Sequence, residues 1–244
     1  MNIKDFIIKS NRQLTDSVWR MELTGDTSDI NRAGQFVNLQ IDGNYLRRPI
    51  SVCDYNESSL TLIYKVVGEG TEKLSTYPAG KTLNVMTGLG NGFSQDLSGD
   101  SPLVIGGGVG IPPLYYLTKK LIEDGKNPTI VLCFNTKEEV FLYEEFLRLT
   151  DRVFIATVDG SMGVKGFFSD VIRENAIDYD YYFTCGPLPM LRAIHEQLNA
   201  KGQISFEERM GCGFGGCMGC THRTKSGYKR VCKETILMSD DVIF

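Results

Sequence analysis

The C-terminal part of the sequence holds a cysteine-rich run, MGCGFGGCMGC, from Met210 to Cys220. With one later cysteine the spacing is Cys212-x4-Cys217-x2-Cys220-x11-Cys232. A C-x4-C-x2-C run with a distant fourth cysteine is the plant-type [2Fe–2S] arrangement. The five glycines of the run favour a loop that curls around such a cluster and directs N–H groups at its sulfurs. The sequence therefore predicts that these four cysteines ligate a [2Fe–2S] cluster.

The same cysteines allow two other interpretations. A structural zinc site needs four ligands around one tetrahedral ion and usually pairs two C-x2-C knuckles, whereas this run contains one. His222 lies close enough in sequence to replace one thiolate, and cysteines without a metal are the third possibility. A disulfide framework is not favoured, because the seven cysteines are odd in number and concentrated near the C-terminus.

Two runs nearer the N-terminus, RRPISV and IYKVVGEGT, carry groups that suit a flavin dinucleotide. Arg48 offers a fork of N–H donors to a pyrophosphate, and the Ser51 hydroxyl suits the edge of an isoalloxazine ring. Gly70 and Thr71 offer backbone N–H groups and a hydroxyl at a turn or helix start, where phosphates bind. Tyr64 is expected to stack on the adenine or the ring system. Taken alone, the Arg-Pro step is also typical of a structural turn at a strand edge.

Three glycine-containing turns, VIGGGVGIPPL, DGSMGVKG and TCGPLPML, follow apolar runs in the central part of the chain. The first departs from the G-x-G-x-x-G fingerprint because Ile111 stands where the last glycine belongs. A glycine turn before a Pro-started helix still directs N–H groups at a phosphate, and a turn without a ligand is the alternative. Cys185 leaves room beside a flat nicotinamide ring, and a buried structural cysteine is the competing interpretation. We expect NAD rather than NADP, because no Arg follows VLCFN to bind a 2′-phosphate and Lys137 is the nearest cation.

These candidate sites require two kinds of scaffold. Alternating apolar and polar runs such as SVWRMEL, QFVNLQI, SLTLIYKVV and KTLNVMT predict a small antiparallel β-barrel or sandwich over residues 1–98. Over residues 99–202, buried strand-like runs alternate with the helical runs IPPLYYLTKKLIEDG, EEVFLYEEFLRL, FFSDVIREN and LPMLRAIHEQLNAKG. That alternation predicts an α/β domain with a parallel sheet. Residues 203–244 show little periodicity, so we expect a small separate cluster module there.

The composition narrows the class of protein. The chain has 244 residues, of which 42% are hydrophobic and 23% charged, as in globular proteins. Its net charge of -4 gives no basic face for nucleic acid. No apolar run approaches the length of a membrane span, and the N-terminal MNIKDFIIKS is too short and too charged for a signal peptide. We expect a cytoplasmic protein that binds neither nucleic acid nor membrane.

In chain order, the motifs RxxS, GxGT, GGGxGxxP, DGSxGxKG, CGPxPM and C-x4-C-x2-C resemble the ferredoxin-NADP reductase superfamily over nearly the whole chain. Within it, RRPIS, GGGVGIPPL, EERMGCGFGGCMGC and YKRVC are most similar to the electron-transfer subunits of class 1B dihydroorotate dehydrogenases. The resemblance implies an N-terminal FAD barrel, a central NAD domain and a C-terminal [2Fe–2S] module.

The resemblance also implies site residues and leaves no side chain as a catalytic acid or base. The implied FAD contacts are Arg48, Pro49, Ile50, Ser51, Ile63, Tyr64, Lys65, Gly70 and Thr71. The implied NAD contacts are Gly106, Gly107, Gly108, Val109, Gly110, Cys185, Gly186 and Pro187. The implied cluster ligands are Cys212, Cys217, Cys220 and Cys232.

The activity that this resemblance implies is an electron relay in pyrimidine biosynthesis. An FMN-containing dihydroorotate dehydrogenase catalytic subunit is the implied partner, in a heterotetramer of two copies of each subunit. Electrons from dihydroorotate would pass through the [2Fe–2S] cluster to FAD and leave as a hydride to NAD⁺. The family leads us to expect an Asp-Gly-Pro-Val-Phe-like run after the last cysteine, whereas CKETILMSDDVIF stands here. We expect that tail to lie near the cluster or the partner subunit.

Two other functions compete with this relay. The first is a flavin and iron–sulfur reductase subunit of another system, serving sulfide, sulfite, glutamate synthase or hydrogenase chemistry. The second is a zinc-stapled nucleotide-binding module without redox activity. A visible spectrum separates the second from the relay, because a flavin and an iron–sulfur cluster are coloured and a zinc site is not.

Overall fold

The structure is a computed structural model that describes residues 1–244, and its backbone packs into two compact units. The first contains Met1–Phe93 and Glu207–Ile236, and the second contains Ser94–Phe206 and Leu237–Phe244. The sequence predicts three parts, with the cysteine-rich segment by itself. That segment has little apolar periodicity with which to build a core, and the structure divides it between the two units instead.

The first unit is built on a closed barrel of six antiparallel strands. In chain order they are β1 (Asn2–Gln13), β2 (Val18–Thr24), β3 (Phe36–Leu39), β4 (Arg48–Tyr55), β5 (Ser59–Lys65) and β6 (Thr82–Leu89), with a short helix α1 (Glu69–Ser75) between β5 and β6. The barrel order is β1-β2-β5-β4-β3-β6. Alternate residues of each strand fill one apolar core, as Phe6 and Ile8 do from β1. The predicted barrel is confirmed, and it includes β1, a strand that the sequence analysis does not assign.

The second unit is a seven-stranded sheet with helices in its crossovers. Its elements in chain order are β7 (Pro102–Gly107), α2 (Pro112–Glu123), β8 (Thr129–Phe134), α3 (Tyr143–Leu147), β9 (Val153–Thr157), β10 (Val164–Lys165), α4 (Phe168–Glu174), β11 (Tyr181–Cys185), α5 (Leu188–Gln197) and β12 (Lys201–Ser205). The order is β10-β9-β8-β7-β11-β12-β15, where β15 is Ile236–Met238. Pairing is parallel from β10 to β12, which confirms the predicted α/β domain.

Two helical runs of the second unit differ from their predictions. EEVFLYEEFLRL forms only the short helix α3, because Leu142 adopts a left-handed φ of 63° and breaks the run before Tyr143. The run from Leu188 ends its helix at Gln197, and Lys201–Ser205 is a buried strand rather than part of a helix or loop. Tertiary pairing with β11 overrides the weak local signal there.

The C-terminal segment begins as an ordered loop with a hairpin and ends on the sheet. The hairpin strands are β13 (Thr221–Thr224) and β14 (Gly227–Arg230), which pair antiparallel. Beyond them, Ser239 donates its backbone N–H to the Gly202 carbonyl and accepts from the Gly202 N–H, each at 2.9 Å. The Phe244 ring packs on Phe206. The tail after Cys232, expected near the cluster or a partner, begins beside the cysteine loop, where Lys233 lies against Gly215. Its last residues are anchored on the α/β unit.

None of the helices combines the length and the apolar character that crossing a membrane demands.

Candidate functional site

The four candidate cluster cysteines lie in two pairs. Cys212 and Cys217 interact through their thiols, and Cys220 interacts in the same way with Cys232. The first pair is accessible, since Cys217 is exposed, and the second pair is buried. No set of three or more potential ligands surrounds a single ion-sized point. Two pairs of thiols match the ligand requirement of a centre with two iron atoms, each of which takes two.

A β-hairpin explains how the distant fourth cysteine reaches the other three. The eleven residues between Cys220 and Cys232 contain β13, β14 and the turn that joins them. Val231 then donates its N–H to the Cys220 carbonyl at 3.0 Å, and the Cys232 N–H lies 3.4 Å from Cys220 Sγ. The x11 spacing is therefore the length of one hairpin that returns the chain to its starting point.

Backbone N–H groups converge on the sulfur of Cys212. The N–H groups of Gly216 and Cys217 lie 3.2 and 3.4 Å from this sulfur. Burial opposes ionisation of the thiol, but N–H donation from Phe214, Cys217 and Gly216, together with the Cys217 thiol, lowers the Cys212 pKa to about 6. Donors aimed at a sulfur stabilise the thiolate form that ligates iron. The donor set and its hydrogen bonds thus fit an iron–sulfur cluster.

The residues predicted to hold FAD meet at one end of the barrel. Arg48 begins β4 and packs its guanidinium on Gly70 of α1, where an added Cβ would overlap Arg48 Nε. Arg48 Nη1 donates to the Leu46 carbonyl at 2.5 Å and Nη2 to Asn44 Oδ1 at 2.9 Å. The fold therefore brings the RRPIS and GEGT motifs together, and it holds a cationic fork at the turn where a pyrophosphate was expected.

Of the other predicted FAD residues, some are accessible to a ligand and others are buried in the barrel. Pro49, Ile50 and Ser51 are half-buried on β4, Ile63 is buried near the end of β5, and Lys65 is exposed at its end. The Tyr64 ring is 2% exposed, belongs to the barrel core and donates its hydroxyl to Asn11 Oδ1 at 3.0 Å. The inward face of β5 takes this side chain, which leaves little exposed ring surface for the predicted stacking on a cofactor.

Thr71 uses its hydroxyl within its own turn. The oxygen accepts from the Val67 N–H at 2.9 Å and donates to the Gly68 carbonyl at 2.9 Å. Its contribution is to fix the backbone of the turn beneath the Arg48 guanidinium.

The predicted NAD turns meet at the switch point of the sheet. The chain leaves β7 for β8 on one side and later returns to β11 on the other, and Gly106 is the register partner of Cys185. Gly110 lies against the next turn so closely that an added Cβ would be 2.5 Å from the Cys185 carbonyl. Ligands of open α/β sheets bind at such a switch point, beyond the carboxyl ends of the strands.

The ends of β11 and β9 supply further polar groups to this region. Thr184 is buried, and its hydroxyl has no hydrogen-bond partner. In the DGSMGVKG turn, Ser161 Oγ donates to Asp159 at 2.6 Å and accepts from the Lys137 N–H at 2.8 Å. The turns after β8 and β9 are thereby joined. A buried hydroxyl without a partner at the end of a switch-point strand fits a site that accepts a polar ligand.

Two asparagines of the first unit contact predicted site residues without being predicted themselves. Asn44 orients the Arg48 guanidinium, and Asn38 donates from Nδ2 to the Cys212 carbonyl at 3.3 Å. Asn38 stands in the buried strand FVNL, and an amide inside an apolar run is the signal that singles it out. Asn44 has no such signal, because its role depends on the fold that brings its side chain to the Arg48 guanidinium.

Comparison with known proteins agrees with the geometry of this site. The model of the iron-sulfur cluster binding domain of dihydroorotate dehydrogenase B matches residues 207–234. The dihydroorotate dehydrogenase B (NAD(+)) electron transfer subunit of Fusobacterium nucleatum is 38% identical, and the match covers 99% of each chain. That of Bacillus pumilus is 42% identical and covers 93% of this chain and 92% of the relative. The chain belongs to this family of electron transfer subunits. The resemblance inferred from the motifs is confirmed.

Solved structures support the fold of this electron transfer subunit. A chain from the structure of an NADH-dependent reduced ferredoxin-NADP oxidoreductase is 27% identical, has a TM-score of 0.88 and covers 98% of this chain and 89% of its own. The ferredoxin NADP+ reductase of Neisseria gonorrhoeae, with bound FAD and NADP, has a TM-score of 0.68 at 16% identity, over 80% of this chain and 90% of its own. The second likeness shows the fold alone.

Proposed function

We propose that this subunit binds FAD, NAD and a [2Fe–2S] cluster and passes electrons from a partner catalytic subunit to NAD⁺, as part of a dihydroorotate dehydrogenase of pyrimidine (UMP) biosynthesis. The overall reaction is dihydroorotate + NAD⁺ → orotate + NADH + H⁺. The observation that carries the proposal is the presence of two cysteine pairs and the Arg48–Gly70 cradle in one compact unit. The substrate and NAD(+) are those for which the relatives in this family are named.

The protein's own residues hold and tune the redox groups. Cys212, Cys217, Cys220 and Cys232 are the cluster ligands, and the N–H groups of the loop stabilise negative charge on the sulfurs. Arg48 neutralises the pyrophosphate of FAD, with Asn44 as its support. When bound, FAD accepts electrons singly from the cluster and donates them in pairs as a hydride. No proton transfer by an Asp, Glu or His is required in this subunit.

The nucleotide belongs at the switch point of the α/β unit. The glycine turn Gly106–Gly110 and the turn Cys185–Pro187 meet there and present backbone groups to NAD. The turns that follow β8 and β9 carry the carboxylates of Glu138, Glu139 and Asp159, with Lys137 as the cation among them. Negative charge at these positions disfavours the 2′-phosphate that distinguishes NADP, which supports NAD.

We propose an FMN-containing dihydroorotate dehydrogenase catalytic subunit as the partner, in a cytoplasmic heterotetramer of two copies of each chain. The exposed side chains of Phe214 and Met218 flank the accessible Cys217. Exposed aromatic and methionine side chains are enriched where proteins dock. A partner bound over this loop has the shortest path for an electron to the accessible cysteine pair.

The decisive experiment is metal and flavin analysis of anaerobically purified protein. We expect two irons and one FAD for each chain, with flavin bands on broad iron–sulfur absorption. Replacing Cys220 by Ser removes the iron–sulfur absorption, whereas Cys133→Ala, in the other unit, leaves it intact. A colourless protein that contains zinc would refute the proposal in favour of a zinc-stapled module.

The second candidate function is a reductase subunit of another flavin and iron–sulfur system. Its support is the likeness to the NADH-dependent reduced ferredoxin-NADP oxidoreductase over nearly the whole chain. The purified subunit alone should reduce dyes with NADH and should not oxidise dihydroorotate, which requires the partner. Co-purification with a catalytic subunit that lacks dihydroorotate activity would favour this second function.

A further inference from the structure

Asn38 is an amide in the middle of a buried barrel strand. Its neighbours Val37 and Leu39 point into the barrel core. Since successive side chains of a strand point to opposite faces, Asn38 lies on the outer face of β3. It is nevertheless only 1% exposed, so another part of the first unit covers it.

The covering element is the cysteine loop. Asn38 Nδ2 donates to the Cys212 carbonyl at 3.3 Å. The backbone of Gly213 lies so close that a Cβ there would overlap the same nitrogen, and its φ is 75°. The Cys212 carbonyl can accept only from the amide nitrogen, so this contact fixes which end of the Asn38 amide is Nδ2 and which is Oδ1. The other amide atom, Oδ1, is buried and has no hydrogen-bond partner.

The strand next to Asn38 carries the predicted flavin contacts. Asn38 pairs with Pro49 and Phe36 pairs with Ser51, and cross-strand partners share a face of the sheet. Pro49 has no N–H, and Arg47 Nη1 donates to the Asn38 carbonyl at 3.2 Å. One residue therefore contacts the loop of Cys212 on one side and lies one strand from Pro49 and Ser51 on the other.

We infer that Asn38 is a positioning residue that links the cluster loop to the flavin. Its Nδ2 fixes the Cys212 backbone, and its Oδ1 accepts a hydrogen bond from an N–H or O–H group of bound FAD. A buried acceptor without a partner is costly, and a flavin donor removes that cost. The inference depends on the proposed binding of FAD and the cluster to the first unit.

The test compares three variants of the intact complex. Asn38→Leu removes donor and acceptor at similar volume, and Asn38→Asp keeps an acceptor but loses the donor. Asn91→Leu is the matched control, because Asn91 also bonds the C-terminal segment, through Ile236, with both amide atoms at 2.9 Å. FAD affinity is measured by flavin fluorescence, and the cluster by its EPR spectrum and midpoint potential.

We expect Asn38→Leu to weaken FAD binding by about tenfold or more and to change both the EPR spectrum and the potential of the cluster. Asn38→Asp should change the cluster signals and weaken FAD binding less, and Asn91→Leu should change neither. If Asn38→Leu does not fold, the Asp variant decides through its cluster signals. Wild-type FAD affinity in a folded Leu variant, or wild-type cluster signals in the Asp variant, would overturn the inference. A wild-type protein without FAD or iron would instead refute the proposed function.

Discussion

Arg48 keeps its guanidinium over the backbone of Gly70 because residue 70 has no side chain. An added Cβ would overlap Nε and lie 2.6 Å from Asn44 Oδ1. The overlap involves a flexible side chain rather than the backbone, so the barrel can accommodate it by moving Arg48. At the scale of the residue, the cost therefore appears in the position of the cationic fork more than in stability.

We predict that Gly70→Ala raises the FAD dissociation constant about tenfold, because Arg48 must leave the pyrophosphate position. The measurement is flavin fluorescence during titration of the deflavinated complex. Glu57→Ala is the control, since Glu57 is exposed in the turn between β4 and β5, outside the predicted flavin motifs. Equal affinities for the two variants would contradict this role of Gly70.

At the scale of the element, helix α4 ends at a residue whose type does not suit its backbone conformation. The Ile177 N–H donates to the Ile172 carbonyl at 3.1 Å and the Ala176 N–H to the Arg173 carbonyl at 3.4 Å. This is the Schellman arrangement, in which the residue after the C-cap adopts a left-handed conformation. Ala176 occupies that position with a φ of 47°, where glycine is favoured.

We predict that Ala176→Gly stabilises the protein by about 0.5–1 kcal/mol, because the left-handed strain exceeds the entropy that glycine adds to the unfolded chain. Thermal or denaturant unfolding measures the change. Ala200→Gly, at a residue without a positive φ, should leave stability unchanged or lower. A destabilised Ala176→Gly variant would show that the left-handed conformation carries no strain.

At the scale of the whole molecule, the two compact units divide the chemistry. The cysteine loop and the strand of the proposed flavin contacts belong to the first unit, and the glycine turns of the proposed nucleotide site belong to the second. A change that disturbs one unit locally should therefore spare the cofactors of the other. Gly110 is the best position for such a change. A Cβ there would lie 2.5 Å from backbone atoms of Cys185 and Gly186. Backbone atoms cannot move aside as the end of a flexible side chain can.

We predict that Gly110→Ala raises the KM for NADH in dye reduction by about tenfold or more, because the two nucleotide-binding turns are forced apart. The visible spectrum of flavin and cluster should stay as in the wild type and serves as the internal control. Steady-state dye reduction measures the first property and absorption the second. An unchanged KM would place NAD elsewhere in the protein.

The sequence by itself determined the features that depend on local spacing and periodicity. The cysteine spacing indicated the cluster ligands, because ligands joined by a short loop are constrained by the loop itself. Alternating runs indicated the barrel, and strands that alternate with helices indicated the α/β unit, since burial of one face imposes a period on each element. The motifs were sufficient to identify the family.

Only the tertiary structure decided which distant residues meet. The Asn38–Cys212 hydrogen bond joins residues 174 positions apart, and no local pattern encodes that distance. The burial of Tyr64, the pairing of Lys201–Ser205 with β11 and the return of the tail to the sheet all depend on packing partners from elsewhere in the chain. The free energy of burial across the whole unit decides which face a side chain takes and which strands pair. That free energy depends on residues far apart in the chain, so a short window of sequence does not predict it.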